Sequence, residues 1–406
     1  MEVWRRNLTI IWVTQLVAIS GFSIVFPFLP YYVQELGVTD LRDVELWSGV
    51  LFATQAVTMA IFAPIWGTLS DRYGRKLMVQ RAMFGGAVTL AAMGFVQDVW
   101  QLAVLRAVQG MLTGTVSAAT TLVASSAPRE RSGYALGLLQ MAVWSGASVG
   151  PLLGGLVADT WGYRAAFWVT GVLLFVAGLA VWRFVEEDFV PPARDKDKSG
   201  GGFWDGVKLV IHQRPLVSLF SIRFIVRLGI RLIGPVLPLF VQSLVPPAAR
   251  LATITGLISG VQAGTSAIGA VTLGRASDRI GYRRVLLACT VAAVILYVPQ
   301  FFVTTVWQLL ILQGAVGLVM SGVLASISAL LATLAPEGRQ GAVYGVDASV
   351  VSAANAVGPM LGASVAAAIG LRAPFLLTAG TLALAAGLVV ALIPRNEQEK
   401  SPTCSS

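Results

Sequence analysis

The sequence predicts an all-α integral membrane protein of twelve transmembrane helices, arranged as two parallel six-helix repeats. Three observations predict it: apolar runs long enough to cross a bilayer recur along the chain, basic residues collect in alternate loops, and the second half repeats the first.

Of the 406 residues, 56% are hydrophobic and 12% charged, with a mean hydropathy of +0.76. Soluble domains carry about 25% charged residues. An apolar run of about 18 residues suffices for a helix to cross a hydrocarbon core about 30 Å thick. Such runs place spans at 8–34, 47–70, 77–96, 100–124, 133–158, 164–184, 216–242, 252–273, 284–303, 307–332, 341–366 and 372–393. Alternating ten-residue strands are absent, which excludes a β-barrel. The first run is much longer than a signal-peptide core, so "WRR" at Trp4 to Arg6 is expected to anchor the first helix rather than open a cleavable leader.

The net charge of +9 and isoelectric point near 9.9 would suit nucleic acid, but sorting the charges removes that reading. Of the 29 Lys and Arg, 21 fall on the membrane side of the N-terminus, and four, Arg42, Arg164, Arg250 and Arg372, lie opposite. The other four, Arg106, Arg223, Arg227 and Arg231, lie inside spans. By the positive-inside rule this asymmetry puts both termini and the long central loop in the cytoplasm of a multi-pass cell-membrane protein.

Cys289 in the ninth span and Cys404 in the tail make no disulfide framework, and the lone His212 before the seventh span is read as solvated. No GxxxxGK loop, metal-ligand cluster or clustered catalytic groups occur, so neither an enzyme, a metal site nor a cofactor is expected.

The repeat is explicit. "VWQL" occurs at Val99 and again at Val306, "GTLSDRYGRK" at Gly67 falls on "GRASDRIGYR" at Gly274, and "VGPLLG" at Val149 on "VGPMLG" at Val357. The same offset, within one residue, puts "FPFLPYYV" at Phe26 on "GPVLPLFV" at Gly234. Residues 1–190 and 210–395 are read as two six-helix bundles, 191–209 as a cytoplasmic linker and 396–406 as a tail. With an even number of spans each, both halves enter the membrane from the same side, a parallel repeat whose site is expected between them at mid-membrane.

Gly67, Asp71, Arg72, Gly74 and Arg75 form a loop between the second and third spans, with Asp278 and Arg279 in its degraded second copy. Glycines there permit close approach, while the acid and the basic cluster can pair or part as two halves rock, which suits a gate. "LAVLRAVQGMLTG" in the fourth span places Arg106, Gln109 and Gly110 in apolar surroundings, where the arginine has to be paired or wetted. In "GASVGPLLGG", Gly146, Gly150 and Gly154 share one helix face, which admits a neighbouring helix, and Pro151 and Gly155 interrupt the run. These three motifs resemble those of the major facilitator superfamily, and the last resembles its drug/proton antiporter branch of twelve-helix multidrug exporters. That resemblance implies a monomeric secondary transporter in the lipid bilayer, exporting small amphiphilic organic compounds in exchange for protons by alternating access. It also implies a part for Arg106 in proton coupling, the alternative being a structural ion pair. An organic-anion or lipid transporter, not necessarily driven by protons, is the second reading, whereas a channel would have no use for duplicated gate loops.

One family pattern is missing, because the first span holds Gln15, Ser20 and Ser23 but no acid before Glu35. The acid deep in a span is Asp347, in the eleventh, expected either to carry the proton or to be fixed in an ion pair with a seventh-span arginine. Arg223, Arg227 and Arg231 recur every fourth residue, a stripe about 80° wide that cannot face lipid. Either the stripe lines the cavity and attracts an anionic or amphiphilic substrate, or Arg223 reaches the cytoplasmic interface while the other two pair internally. Gln140, Gln262, Gln313 and Asn355 are neutral hydrogen-bonding candidates for the cavity or for helix–helix links.

Overall fold

The computed structural model describes residues 3–128, 131–187, 210, 213–246, 249–336 and 340–392, without the side chains of Val3, Asp71, Ser125, Gln340 and Ala342. The linker 191–209, the tail 396–406, His212 and Cys404 lie outside the described residues.

Helices form twelve spans among the described residues. The first is Val3–Ile24 continued by Leu29–Glu35; the second to sixth are Leu41–Tyr73, Arg75–Met93, Val99–Leu112 with Thr115–Ser126, Ser132–Trp161 and Tyr163–Phe184. The seventh is Arg214–Leu232 with Val236–Leu244, followed by Leu251–Ile280, Tyr282–Tyr297 with a short 3-10 turn, Val306–Leu334, Gln340–Ile369 and Ala373–Leu392. Eleven of these are long and apolar enough to cross a membrane. The third is less apolar because Arg75, Lys76 and Arg81 fill its first two turns, yet it is packed in place, with Gly171 of the sixth span against Ala87 and Ala91.

Three spans expected to be continuous are broken. Pro27 and Pro235 have no N–H to extend their helices, so the first and seventh spans break at the same point of each repeat. The fourth breaks where Thr113 is extended and Gly114 takes a φ of +127°, a conformation that favours glycine.

Each half has its own core. Leu29, Tyr32, Met83, Leu90 and Phe167 are among the buried side chains of the first, and Phe220, Phe240, Tyr297 and Phe375 of the second. Between the halves, the fifth span meets the eighth through Gly155 on Ala252, Pro151 on Gly256 and Ser148 on Gly260, while the second meets the eleventh through Gly49 on Ala363. At the end opposite the N-terminus these seams are latched. Tyr31 Oη donates to the Pro238 carbonyl at 2.6 Å, Arg42 Nε to the Ala367 carbonyl at 3.1 Å, and the amides of Ala252 and Thr253 to Asp159 at 3.2 and 2.7 Å. Toward the N-terminal end the same four helices leave open space around Gly67, Gly133, Gly137, Gly274 and Gly345. The hydrogen bonds that join the halves are therefore gathered at the end opposite the N-terminus, and the glycines toward the other end have room for a side chain.

Candidate functional site

The three seventh-span arginines meet three different environments. Arg223 does not reach an interface; it is buried, with Nε 2.5 Å from Oδ1 of Asp347 in the eleventh span. Its Nη1 donates to Ser328 Oγ of the tenth span at 3.2 Å. Two turns on, Arg231 is exposed and donates from Nε to Asn355 Oδ1 of the eleventh span at 2.7 Å. Arg227, between them, has a buried Nε with no hydrogen-bond partner and makes no ion pair among the described residues. A four-residue repeat on one helix thus yields one ion pair, one amide-held cation and one unneutralised cation. The seventh and eleventh spans also frame a cavity of about 660 Å3 that is nearly all apolar, with Phe220, Phe224, Ile225, Val346 and Val350 in its wall.

In the first half, Arg106 is 3% exposed and pairs with no carboxylate among the described residues. Its Nη1 donates to Gln55 Oε1 at 2.8 Å and to Gln109 Oε1 at 3.1 Å, while Nε and Nη2 have no partner. The ion-pair alternative for Arg106 is not realised in this conformation; two carboxamide dipoles hold the guanidinium instead. Gln313 links the tenth span to the 3-10 turn by donating to Gln300 Oε1 at 3.1 Å. Gln140 is exposed, and the backbone carbonyl of Gln262 accepts from Ser266 Oγ at 2.8 Å.

At the gate loop, Gly74 at φ +98° ends the second span and starts the third, and Gly281 at φ +105° repeats this turn in the second half. The amides of Arg75 and Lys76 donate to the two carboxylate oxygens of Glu187 at 2.9 and 2.7 Å, so an acid from the end of the sixth span caps the third. Arg72 lies over the ring of Tyr73 and Asp278 accepts from Tyr282 Oη, while Arg279 is exposed. Gly146, Gly150 and Gly154 pack on the backbone of Leu16, Ser20 and Ile24 in the first span, whereas Gly155 and Pro151 pack across to the eighth. One short motif thus serves two faces, one within a half and one between halves.

Sequence reasoning missed several residues. Gln55, the Arg106 partner, carried no pattern. Glu45 is buried near the closed end of the second span, a few residues before the expected start of that span. Arg81, counted among the loop charges, lies inside the third helix with its guanidinium 3.7 Å from the centre of the Trp66 ring.

The sequence profile of the Major Facilitator Superfamily matches residues 11–222 and again 219–403. Multidrug resistance protein MdtG of Salmonella typhimurium strain LT2 is 36% identical over 379 residues, 93% of this chain and 93% of that protein. MdtG of Dickeya zeae strain Ech586 is 38% identical over 382 residues, covering 93% of this chain and 92% of its own. Among solved structures, a bacterial homolog of the human lysosomal transporter Spinster, inward-facing and unoccupied, superposes with a TM-score of 0.78 over 97% of both chains at 14% identity.

Proposed function

The chain belongs to the major facilitator superfamily, and we propose that it exports small amphiphilic organic compounds, as a multidrug efflux protein, by alternating access coupled to protons. Similarity to multidrug resistance proteins over 93% of the chain carries the substrate class. In this reading the basic end faces the cytoplasm, as the positive-inside rule asks, and the protein stands open to the cytoplasm.

Coupling is assigned to Asp347. While ionised it neutralises Arg223; once protonated it leaves a buried guanidinium that has to find water or another partner, which disfavours the same packing of the seventh and eleventh spans. A contact whose energy depends on one proton lets the gradient bias a two-state rocking motion. Arg106 acts from the other half as a fixed cation with unused donors. Gly67, Asp71, Arg72, Gly74 and Arg75, with Asp278 and Arg279, form the cytoplasmic gate, and the Gly146–Gly155 motif carries the packing that moves.

Transport in proteoliposomes under an imposed pH gradient, comparing a cationic with an anionic dye, tests the reading. Gradient-dependent movement of both dyes, lost in Asp347→Asn, is the expected result; movement indifferent to the gradient overturns proton exchange. Organic-anion transport is the second reading, favoured by the exposed, amide-held Arg231 and by the unneutralised Arg227. Preferential anion movement, lost in Arg227→Gln or Arg231→Gln, would decide for it.

A further inference from the structure

A cavity of about 610 Å3 lies wholly within the first half, between the first four spans, away from the seventh-span stripe. Among the described residues its wall contains one cation and no acid. The Arg81 guanidinium is stacked on Trp66, and its Nε and Nη1 are buried without partners among the described residues. Two hydroxyls of the same wall, Thr113 Oγ1 and Ser70 Oγ, likewise have no hydrogen bond among the described residues, and these residues are only 7% and 9% exposed. The break at Gly114 adds a third element, because the helix Thr115–Ser126 begins at this wall with no side-chain cap, turning its first amides and positive dipole end to the same space. Buried donors without partners are costly in a folded protein, and here several of them converge. Apart from Gln55 and the hydroxyls of Thr115, Ser117 and Thr121, the rest of the wall is apolar, with Ile19, Phe22, Met59, Ala63 and Met78.

We propose that this cavity binds a single-chain anionic amphiphile, with its carboxylate or phosphate on Arg81, Ser70, Thr113 and the amides after Gly114 and its alkyl chain along the apolar wall. A guanidinium held flat by a tryptophan presents its edge donors to such a head group, and the dimensions lie within the usual range for small-ligand sites. The site stands apart from the seventh-span stripe, since none of its residues belongs to that span, although Gly67 of the proposed gate and Gln55, the partner of Arg106, share its wall.

The test is equilibrium binding of radiolabelled palmitate to the full chain in nanodiscs, with hexadecyltrimethylammonium as the cationic control. Saturable palmitate binding is expected, weakened about tenfold or more in Arg81→Gln, as for loss of a charge-assisted hydrogen bond, and unchanged in Arg183→Gln, an exposed arginine at the end of the sixth span. Ala63→Trp retains the guanidinium but fills the tail region, so it is expected to weaken palmitate far more than octanoate; both variants are to elute as wild type on size exclusion. Nanodiscs of phosphatidylcholine alone, compared with ones containing phosphatidylglycerol, identify the source. Competition by the anionic lipid shows that the bilayer supplies the head group, and its absence shows a free amphiphile. Absence of saturable binding, equal binding of the cationic control, or palmitate affinity indifferent to Arg81→Gln overturns the proposal.

Discussion

Gln34 and Gln242 occupy the same position of the two repeats, and they bind each other. Gln34 Nε2 donates to Gln242 Oε1 at 2.9 Å, and Gln242 Nε2 returns the bond to Gln34 Oε1 at 3.1 Å. A residue can meet its own repeat-mate only on the axis that relates the halves, so this pair marks where the axis leaves the closed end. Two carboxamides suit the position because each offers a donor and an acceptor and the pair is satisfied by symmetry.

The pair gives a clean double-mutant cycle. Gln34→Leu or Gln242→Leu alone strands a half-buried amide and is expected to favour opening of the closed end roughly fivefold, equivalent to about 1 kcal/mol. Replacing both removes the unmet donor and acceptor together and is expected to restore most of the closure. Labelling of a cysteine at Ala252 by a membrane-impermeant maleimide reads the opening; equal effects of the single and double variants would mean that the two side chains do not act on each other.

Asp159 is the stronger latch, because a carboxylate from the fifth span caps the eighth span of the other half at Ala252 and Thr253. It joins a charge-assisted cap to the positive end of a helix. Asp159→Ala is expected to cost the closed end about 1–2 kcal/mol, a shift of roughly five- to thirtyfold toward opening on that side. Maleimide labelling at Thr255→Cys should rise accordingly, while thermal stability of the isolated halves, followed by limited proteolysis, should hold.

Much of this architecture is legible in one dimension, because apolar length and duplicated words are local signals. Pro27 and Pro235 stand at matching places in the repeat, and the breaks they cause are written in the sequence although the spans read as continuous. Partners are harder to read. Asp347 and Arg223 were candidates for each other because acids are scarce inside spans, but nothing local distinguishes Arg223 from Arg227 as the one it meets. Asp159 reads as an ordinary acid at a helix end; its role depends on an N-terminus nearly a hundred residues away. Arg81 follows Arg75 and Lys76 closely enough to look like loop charge, and only the fold brings Trp66 under it.

The parted end carries its own register. In the closed stretch Gly155 faces Ala252, Pro151 faces Gly256 and Ser148 faces Gly260, and the same antiparallel register, continued along both helices, would bring Gly133 opposite Gly274. Both have open space in this conformation. Cysteines at Gly133 and Gly274 are expected to form a disulfide only when the cytoplasmic ends close to Cα distances of about 7 Å or less. Gly67→Leu tests the second seam, since the conformation described accommodates a side chain there. Thermal stability should stay near wild type while transport falls at least tenfold, as for a closure that can no longer form. Unimpaired transport in Gly67→Leu would remove the gate from this position.

The Arg223–Asp347 pair separates a proton carrier from a fixed ion pair. Asp347→Asn leaves Arg223 buried with no countercharge and is expected to destabilise the second half by about 3–5 kcal/mol, visible as a lower unfolding temperature. Replacing both, as in Arg223→Met with Asp347→Leu, removes the stranded charge and should recover most of that stability. The two roles then predict opposite transport. If Asp347 only holds the helices together, the neutral double variant regains gradient-driven export along with its stability. If the carboxyl takes up and releases the proton, the double variant folds well, binds dye and exchanges it down its own gradient, but no longer responds to a pH difference. We expect the second outcome. Gradient-driven export by a stable double variant would rule out Asp347 and move the proton to another buried acid, for which Glu45 is the next to replace.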